Sequence, residues 1–178
     1  MNTDKLNYIL DRRSIRRFTD QKIDSKMIKS ILTAAMYAPS AVNMQPWHFV
    51  VIDDSSMMEK IMDIHPHARM MQSASHAVVV CGDGQLQHDD GYWVVDCGAA
   101  TQNLLLAAQI LGLGSCWVGL HPREERKSAF SRLLHLPSHI FPFALVALGY
   151  PEELKPRPDR FHAKKVKYNG WNKPYFQE

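Results

Sequence analysis

The chain has 178 residues, of which 46% are hydrophobic and 22% are charged, and its formal net charge is +3. A chain of this length buries roughly 70% of its unfolded surface on folding, so we expect one globular domain, residues 1–178, that needs no disulfide or metal for stability. It contains neither a run of 18 uncharged apolar residues nor a recognisable secretion signal, and we expect neither a membrane protein nor an exported one.

Hydrophobic periodicity and turn residues predict alternating helices and strands. In chain order, helices are predicted over 3–11, 25–38, 55–64, 90–111 and 122–133, and strands over 47–52, 76–81, 115–118 and 141–150. Asp24 or Ser25 is the predicted N-cap of the second helix, which should stop before Pro39. The helix over 90–111 is apolar nearly all round, so it should be buried on most sides. Helices mixed among strands favour an α+β fold, a sheet covered by helices.

The C-terminal segment 151–178 contains four prolines, which exclude regular structure over much of its length. It also carries five aromatic residues, namely Phe161, Tyr168, Trp171, Tyr175 and Phe176. Because exposing so many aromatic rings is unfavourable, we expect this segment to pack against another surface.

The cysteines are three in number, Cys81, Cys97 and Cys116, widely spaced and set among apolar or small residues. This pattern favours reduced thiols in a cytoplasmic protein over a disulfide framework, with Cys81 and Cys97 filling the core.

Charge is segregated along the chain. Residues 1–30 hold eight Lys or Arg and four acids, residues 31–154 hold six and twelve, and residues 155–178 hold seven and two. A nucleic-acid-binding protein would carry a larger basic excess together with a binding motif, so we expect no nucleic-acid partner. Two interpretations remain: both basic ends are simply solvated, or they meet in space and their arginines converge on one phosphate or carboxylate.

Three familiar motifs are excluded. The run Gly112-Leu113-Gly114-Ser115 lacks the third glycine of a dinucleotide-binding fingerprint and follows a helix instead of a strand. No P-loop lysine motif is present. His65-Pro66-His67 with His76 has no further ligand at suitable spacing, so these are interpreted as surface histidines and not as a metal site.

Two segments contain side chains suited to binding a ligand. Residues 12–17, Arg-Arg-Ser-Ile-Arg-Arg, place four guanidinium groups close together, an arrangement that is costly unless an anion lies nearby. Residues 39–47, Pro-Ser-Ala-Val-Asn-Met-Gln-Pro-Trp, set hydroxyl and amide side chains in a loop stiffened by two prolines. Such groups are suited to the polar edge of a heteroaromatic ring.

These segments, together with DCGAATQNLLLAAQILGLGSCWVG and LGYPEELKPRPDR, resemble the nitroreductase family of FMN-dependent reductases along nearly the whole chain. The resemblance implies an α+β fold with a mostly antiparallel sheet covered by helices. It also implies an intertwined homodimer with two FMN sites at its interface, and residues 151–178 packed on the partner subunit.

The resemblance further implies which residues bind FMN. The phosphate and ribityl end corresponds to Arg12, Arg13, Ser14, Arg16 and the late Arg160. The loop reaching the flavin from the partner subunit corresponds to Pro39, Ser40, Ala41, Asn43 and Gln45, and the backbone facing the ring to Trp117, Val118 and Gly119. Where larger members carry an Asn and a Lys near the ring, this chain reads His67-Ala68-Arg69-Met70.

The implied function is an FMN-dependent oxidoreductase that passes two electrons from NADH or NADPH to a nitroaromatic, a quinone or a similar small acceptor. The flavin carries the chemistry, so no side chain is assigned as a catalytic acid or base. The alternatives are a flavin store or redox sensor without turnover, and a specialised family reaction such as reductive dehalogenation.

Overall fold

A computed structural model describes residues 4–87 and 91–176. Four strands, β1 (Trp47–Ile52), β2 (His76–Asp83), β3 (Gly114–Gly119) and β4 (Ile140–Gly149), form one sheet in the order β1-β2-β4-β3. Every neighbouring pair is antiparallel. β1 and β3 are therefore the two opposite edges of the sheet.

Helices cover both faces of the sheet. They are α1 (Asn7–Leu10), α2 (Ser25–Met36), α3 (Ser55–Ile64), α4 (Tyr92–Ile110) and α5 (Glu124–Leu133). One core cluster joins α2 and α4 to Val78 and Val80 of β2, and the other joins α3 and α5 to Val79. Because side chains alternate along a strand, β2 contributes to both cores, and all eight of its residues are buried.

The predicted α+β fold with an antiparallel sheet is confirmed, and the element boundaries agree closely. The predictions for β1 and α3 match the structure at both ends. Asp24 caps α2 by accepting a hydrogen bond from the N–H of Lys26 at 2.7 Å. The predicted start of the fourth helix at Asp90 lies outside the described residues, and the described helix begins at Tyr92.

The N-terminal segment 12–18 runs along the free edge of β3 and then beside the end of β4. The N–H of Ile15 donates to the carbonyl of Ser115 at 2.9 Å, and Phe18 bridges Pro151. The side chain of Ile15 lies over Gly114, where an added Cβ would approach it to 2.9 Å. This glycine therefore lets segment 12–18 lie directly against the strand.

The beginning of the C-terminal segment packs on segment 12–18 of the same chain. The N–H of Glu152 donates to the carbonyl of Arg17 at 3.0 Å, and the ammonium of Lys155 donates to the carbonyl of Ser14 at 2.6 Å. Arg157 pairs with Asp11 at 2.6 Å. The two basic ends of the sequence therefore meet in space, as one of the two interpretations of the charge pattern predicts.

Candidate functional site

A cavity of about 650 Å³ lies at the free edge of β3. Its walls come from four regions, namely the N-terminal segment, the α3–β2 connection, β3 and α5. The lining residues include Arg16, Arg17, His65, His67, Arg69, Met70, Cys116, Trp117, Val118, Gly119 and Arg126. No acidic residue lines it within the described ranges. The cavity therefore offers a cationic environment beside an exposed strand edge.

The hydrogen-bond pattern of β3 shows which of its backbone groups face the free edge. Leu120 lies opposite Phe143 and donates its N–H to that residue's carbonyl at 3.2 Å. Because bonded and non-bonded pairs alternate in an antiparallel ladder, Val118 also bonds to β4, whereas Trp117 and Gly119 direct their N–H and C=O groups away from it. The carbonyl of Ser115, two residues before Trp117, already accepts from Ile15 on that side.

A second cavity, of about 570 Å³, is lined by Arg12, Arg13, Arg157 and Arg160. Burial lowers the pKa of Arg12, and the neighbouring charges of Arg160 and Arg13 lower it further. The thiol of Cys116, which lines the first cavity, also lies in the field of both Arg12 and Arg16. Arg16 lines the first cavity and Arg12 the second, four residues apart on the same segment. Among the described residues that line the two cavities, Asp159 is the one acid, and the surrounding guanidinium groups suit a multiply charged anion.

The four arginines of residues 12–17 do not share one role. Arg13 donates from Nε to the carbonyl of Pro156 at 2.9 Å, and from Nη1 to the carbonyls of Leu10 and Arg12 at 2.8 and 2.7 Å. Its guanidinium thus ties the N-terminal segment to the C-terminal one. Arg13 lines the second cavity, but most of the N–H groups of its guanidinium donate to backbone carbonyls. The guanidinium of Arg12 has no such backbone partner among the described residues.

The loop before β1 lies at the opposite edge of the sheet, and none of residues 39–45 lines either arginine-rich cavity. Pro39, Ser40 and Ala41 instead line a shallow hollow on α4. Since β2 and β4 separate β1 from β3, the two edges are about 14 Å apart at about 4.8 Å per strand. The structure therefore does not bring this loop together with Trp117–Gly119 inside one chain.

Backbone strain is concentrated in that loop. Val42, Asn43 and Gln45 have φ values of 50°, 58° and 50°, in the left-handed region that β-branched residues such as valine rarely adopt. Two side chains hold the conformation: Asp96 accepts from the N–H of Ala41 at 3.0 Å, and the Ser40 hydroxyl accepts from the N–H of Gln45 at 2.9 Å. Strain maintained in this way is typical of binding loops.

The surface interpretation of the histidines is wrong for two of them. His65 is 1% exposed and His76 is 9% exposed. His65 ends α3, reaches the carbonyl of Gly119 with Nε2 at 3.2 Å, and lines the first cavity. Sequence reasoning missed it because Gly119 lies 54 residues further along the chain. Arg17 and Arg126 were likewise not predicted from the sequence to line this cavity, whereas His67, Arg69 and Met70 belong to the stretch that the resemblance matched to ring contacts in larger members.

Cys81 and Cys97 fill the core as predicted, and the three cysteines are free and buried. Burial raises the pKa of Cys81 to about 12 and raises that of Cys97 as well. Thiols this hard to ionise are poor nucleophiles, so neither contributes chemistry to the cavities.

Comparison with known proteins identifies the family. The sequence profile of the nitroreductase family matches residues 9–78 and 67–150. The chain belongs to the nitroreductase family. A relative from Archaeoglobus fulgidus, provisionally named an NADH dehydrogenase/NAD(P)H nitroreductase, is 46% identical over 90% of this chain and 97% of its own length.

Two solved structures of nitroreductase-family proteins show the same fold. One, from Parabacteroides distasonis and provisionally named an NADH dehydrogenase/NAD(P)H nitroreductase, has a TM-score of 0.90 and 34% identity, covering 94% of this chain and 99% of its own. Another, a provisionally named nitroreductase from Desulfovibrio desulfuricans solved in complex with FMN, has a TM-score of 0.81 and 29% identity, covering 93% and 96%.

Proposed function

We propose that this nitroreductase-family protein is an FMN-dependent oxidoreductase that passes two electrons from NADH or NADPH to a nitroaromatic, a quinone or a similar small acceptor. The observation that carries the proposal is the cationic cavity beside the free edge of β3. Its arginines suit a phosphate, and the outward-facing backbone of Trp117 and Gly119 suits a polar ring. The relative with bound FMN and those named for NAD(P)H support the same conclusion.

The phosphate end of FMN is assigned to Arg12, Arg16 and Arg160. Arg12 is partly buried beside Arg160, and no carboxylate contributes to its pKa. A phosphate dianion would relieve this repulsion and accept charge-assisted hydrogen bonds from both guanidinium groups. Ser14 and Arg13 flank the proposed phosphate position. Arg13 acts there mainly by hydrogen-bonding to backbone carbonyls, which links the two terminal segments.

The ring end of FMN is assigned to Trp117, Val118 and Gly119. Among the described residues, and apart from its chain neighbours, a Cβ placed on Gly119 would meet one atom within 4 Å, the carbonyl oxygen of His121 at 3.9 Å, so there is room over this glycine. When bound, FMN supplies a two-electron carrier that takes a hydride from the nicotinamide and gives it to the acceptor. The outward N–H of Gly119 would donate to the ring and stabilise negative charge on it.

The second half of the site is assigned to a partner subunit. Ser40, Asn43 and Gln45 lie at the far edge of the sheet, so a second copy would have to bring them to the ring. The amide of Gln45 donates to Asn43 Oδ1 at 3.1 Å, which leaves the Asn43 amide nitrogen as the donor for a ligand. The large apolar side chains exposed on and near α4 suit a homodimer interface; they include Tyr37, Val42, Val95 and Ile110.

The end of the C-terminal segment is also assigned to the dimer. Its rings contact one another, with Phe161 and Phe176 at 5.3 Å and Tyr168 and Tyr175 at 5.7 Å, yet Trp171 remains 82% exposed. Residues 151–157 pack on their own chain, and residues 158–161 line the second cavity. The part proposed to cover the partner subunit is therefore residues 162–178, a shorter stretch than the 151–178 implied by the resemblance.

We propose a cytoplasmic location, which the three free cysteines support, since reduced thiols are typical of that compartment. Among the described residues, no helix combines the length and the apolar character needed to cross a membrane.

A single experiment tests the proposed function. The purified protein, reconstituted with FMN, is titrated with NADH or NADPH under argon, and then a nitroaromatic or a quinone is added. We expect about one FMN per chain, bleaching of its visible absorption by the reduced nicotinamide, and return of the colour on addition of the acceptor. Binding of FAD in place of FMN, or absence of any flavin binding, would contradict the cofactor assignment. Bleaching without reoxidation would favour a store or sensor.

A further inference from the structure

His65 occupies a buried position between the cavity and α5. It ends α3, is 1% exposed, and its ring meets that of Phe130 edge to face at 6.5 Å. A buried imidazole must have its polar atoms satisfied, and both of its nitrogens have partners. The partners determine the protonation state of the ring.

The tautomer of His65 follows from its two hydrogen bonds. The backbone N–H of His67 donates to Nδ1 at 3.2 Å, so Nδ1 is an acceptor and carries no proton. The ring proton therefore sits on Nε2, which donates to the carbonyl oxygen of Gly119 at 3.2 Å. Burial has the largest effect on the pKa of His65 and lowers it, the hydrogen bond to Gly119 raises it, and the charge of Arg126 lowers it. The net shift is downward, in keeping with this neutral form.

The same carbonyl has a second donor. Nη1 of Arg126, on α5, donates to the oxygen of Gly119 at 3.0 Å. Two elements, α3 and α5, thus hold one carbonyl at the point where β3 ends. On the β4 side the same peptide group is held by the N–H of Leu120, which donates to Phe143. Because glycine has no side chain to restrict its backbone, the bonds from His65 and Arg126 add to the rigidity of Gly119 on the side without a neighbouring strand.

The orientation of the Gly119 carbonyl bears directly on the flavin position. At a residue that does not bond to the neighbouring strand, N–H and C=O point to the same side. The carbonyl and the N–H of Gly119 belong to two successive peptide groups, so bonds that hold the carbonyl limit rotation about the Gly119 backbone and thereby the direction of the N–H that faces the cavity. We propose that His65, in its Nε2–H form and together with Arg126, is a positioning residue that orients the Gly119 backbone for the bound flavin.

This inference rests on the proposed function, and two His65 variants test it. His65→Gln keeps a donor near the position of Nε2, whereas His65→Leu removes it. We expect His65→Leu to weaken FMN binding about tenfold, by loss of one hydrogen bond to the site, and to shift the visible absorption bands of the bound flavin. His65→Gln should restore most of the affinity and the wild-type bands. FMN affinity is read from fluorescence quenching, independently of turnover.

His76→Leu is the matched control, since His76 is another buried histidine, hydrogen-bonded to Ser75 away from the cavity. It should lower thermal stability and leave both flavin affinity and spectrum unchanged. If His65→Leu does not fold, Arg126→Met, which removes the second donor, is expected to show the same loss of affinity and the same spectral shift.

Wild-type affinity and spectrum in a folded His65→Leu variant, or in Arg126→Met where His65→Leu fails to fold, would overturn the inference. So would a His65→Gln variant as impaired as His65→Leu. Absence of FMN binding by the wild-type protein would instead contradict the proposed function itself, so the two failures are distinguishable.

Discussion

Individual arginines of the N-terminal segment have separate functions in this account. Arg12 and Arg16 adjoin the cavities with guanidinium groups available to an anion, whereas Arg13 is bonded to three backbone carbonyls. The sequence showed four equivalent arginines. Only the folded chain, which brings Pro156 against Arg13, separates the anion-binding residues from the structural one.

We predict that Arg12→Ala and Arg16→Ala weaken FMN binding tenfold to a hundredfold, since each removes a charge-assisted contact of about 1.5–3 kcal/mol. Equilibrium titration of the apoprotein with FMN measures the change. Arg132→Ala is the control, because Arg132 is exposed in the last turn of α5 and lines neither cavity. Unchanged affinity in both test variants would show that the arginines serve another purpose.

Gly119 and Gly114 both lie in β3, and replacing each with alanine should have opposite effects on thermal stability. A Cβ at Gly119 has room, so Gly119→Ala should keep or slightly raise the thermal stability of the apoprotein and weaken FMN binding by filling the ligand's position. A Cβ at Gly114 lies 2.9 Å from Ile15, so Gly114→Ala should lower the melting temperature. A Gly119→Ala protein with normal FMN affinity would refute the placement of the ring.

At the level of elements, most of the secondary structure could be predicted from the sequence. The apolar run in Trp47–Ile52 and the pattern of Ser55–Ile64 are local signals, and both elements were predicted with their observed limits. Trp47–Ile52 was expected to be a buried strand, whereas as an edge strand it leaves His48 and Val51 exposed. The sheet order β1-β2-β4-β3 and the approach of α3 to Gly119 depend on contacts between distant residues. For this reason the role of His65 could not be inferred before the fold was known.

Three histidines with lowered pKa values, His65, His76 and His121, should make the stability of the folded protein depend on pH. The pKa of His65 is lowered from 6.5, mainly by burial, and burial also lowers those of His76 and His121. A histidine with a lowered folded-state pKa takes up its proton more readily when unfolded, so its stabilising contribution is present above pH 6.5 and is lost as the pH falls below it.

We therefore predict that the melting temperature falls as the pH is lowered from 7 through 6.5 towards the lowered pKa values. His65→Gln, which cannot titrate, should show a shallower fall than the wild type. Parallel melting curves over this range for the two proteins make the comparison. Identical pH dependence would mean that His65 does not contribute to it.

At the scale of the whole molecule, the proposed site divides into two halves that lie on opposite edges of the sheet of one chain. The arginines and Gly119 lie at the β3 edge, while the loop over 39–45 precedes β1. Sequence resemblance implied a shared site, and the sheet order gives a physical reason for it: two strands separate the halves. The exposed aromatic residues of the C-terminal segment supply further surface for a partner.

Deletion of residues 161–178 tests the part of this surface that lies in the C-terminal segment. If these residues cover the partner subunit, removing them exposes apolar surface, and light scattering should report monomers or aggregates in place of dimers. A flavin-loaded dimer that survives the deletion would show that the aromatic residues are dispensable.

The shared site is tested most directly by mixing two damaged chains. One chain carries Arg12→Ala and Arg16→Ala, the other carries Asn43→Ala, and the mixed dimer is isolated with two different affinity tags. If each FMN lies between the arginines of one chain and the partner subunit's Asn43, both lesions fall on one site and the other is intact. We predict that about half of the wild-type flavin content and activity returns, although each homodimer is impaired at both sites. If all these groups came from one chain, each site of the mixed dimer would carry one lesion. A mixed dimer that recovers neither flavin content nor activity would therefore contradict the shared site.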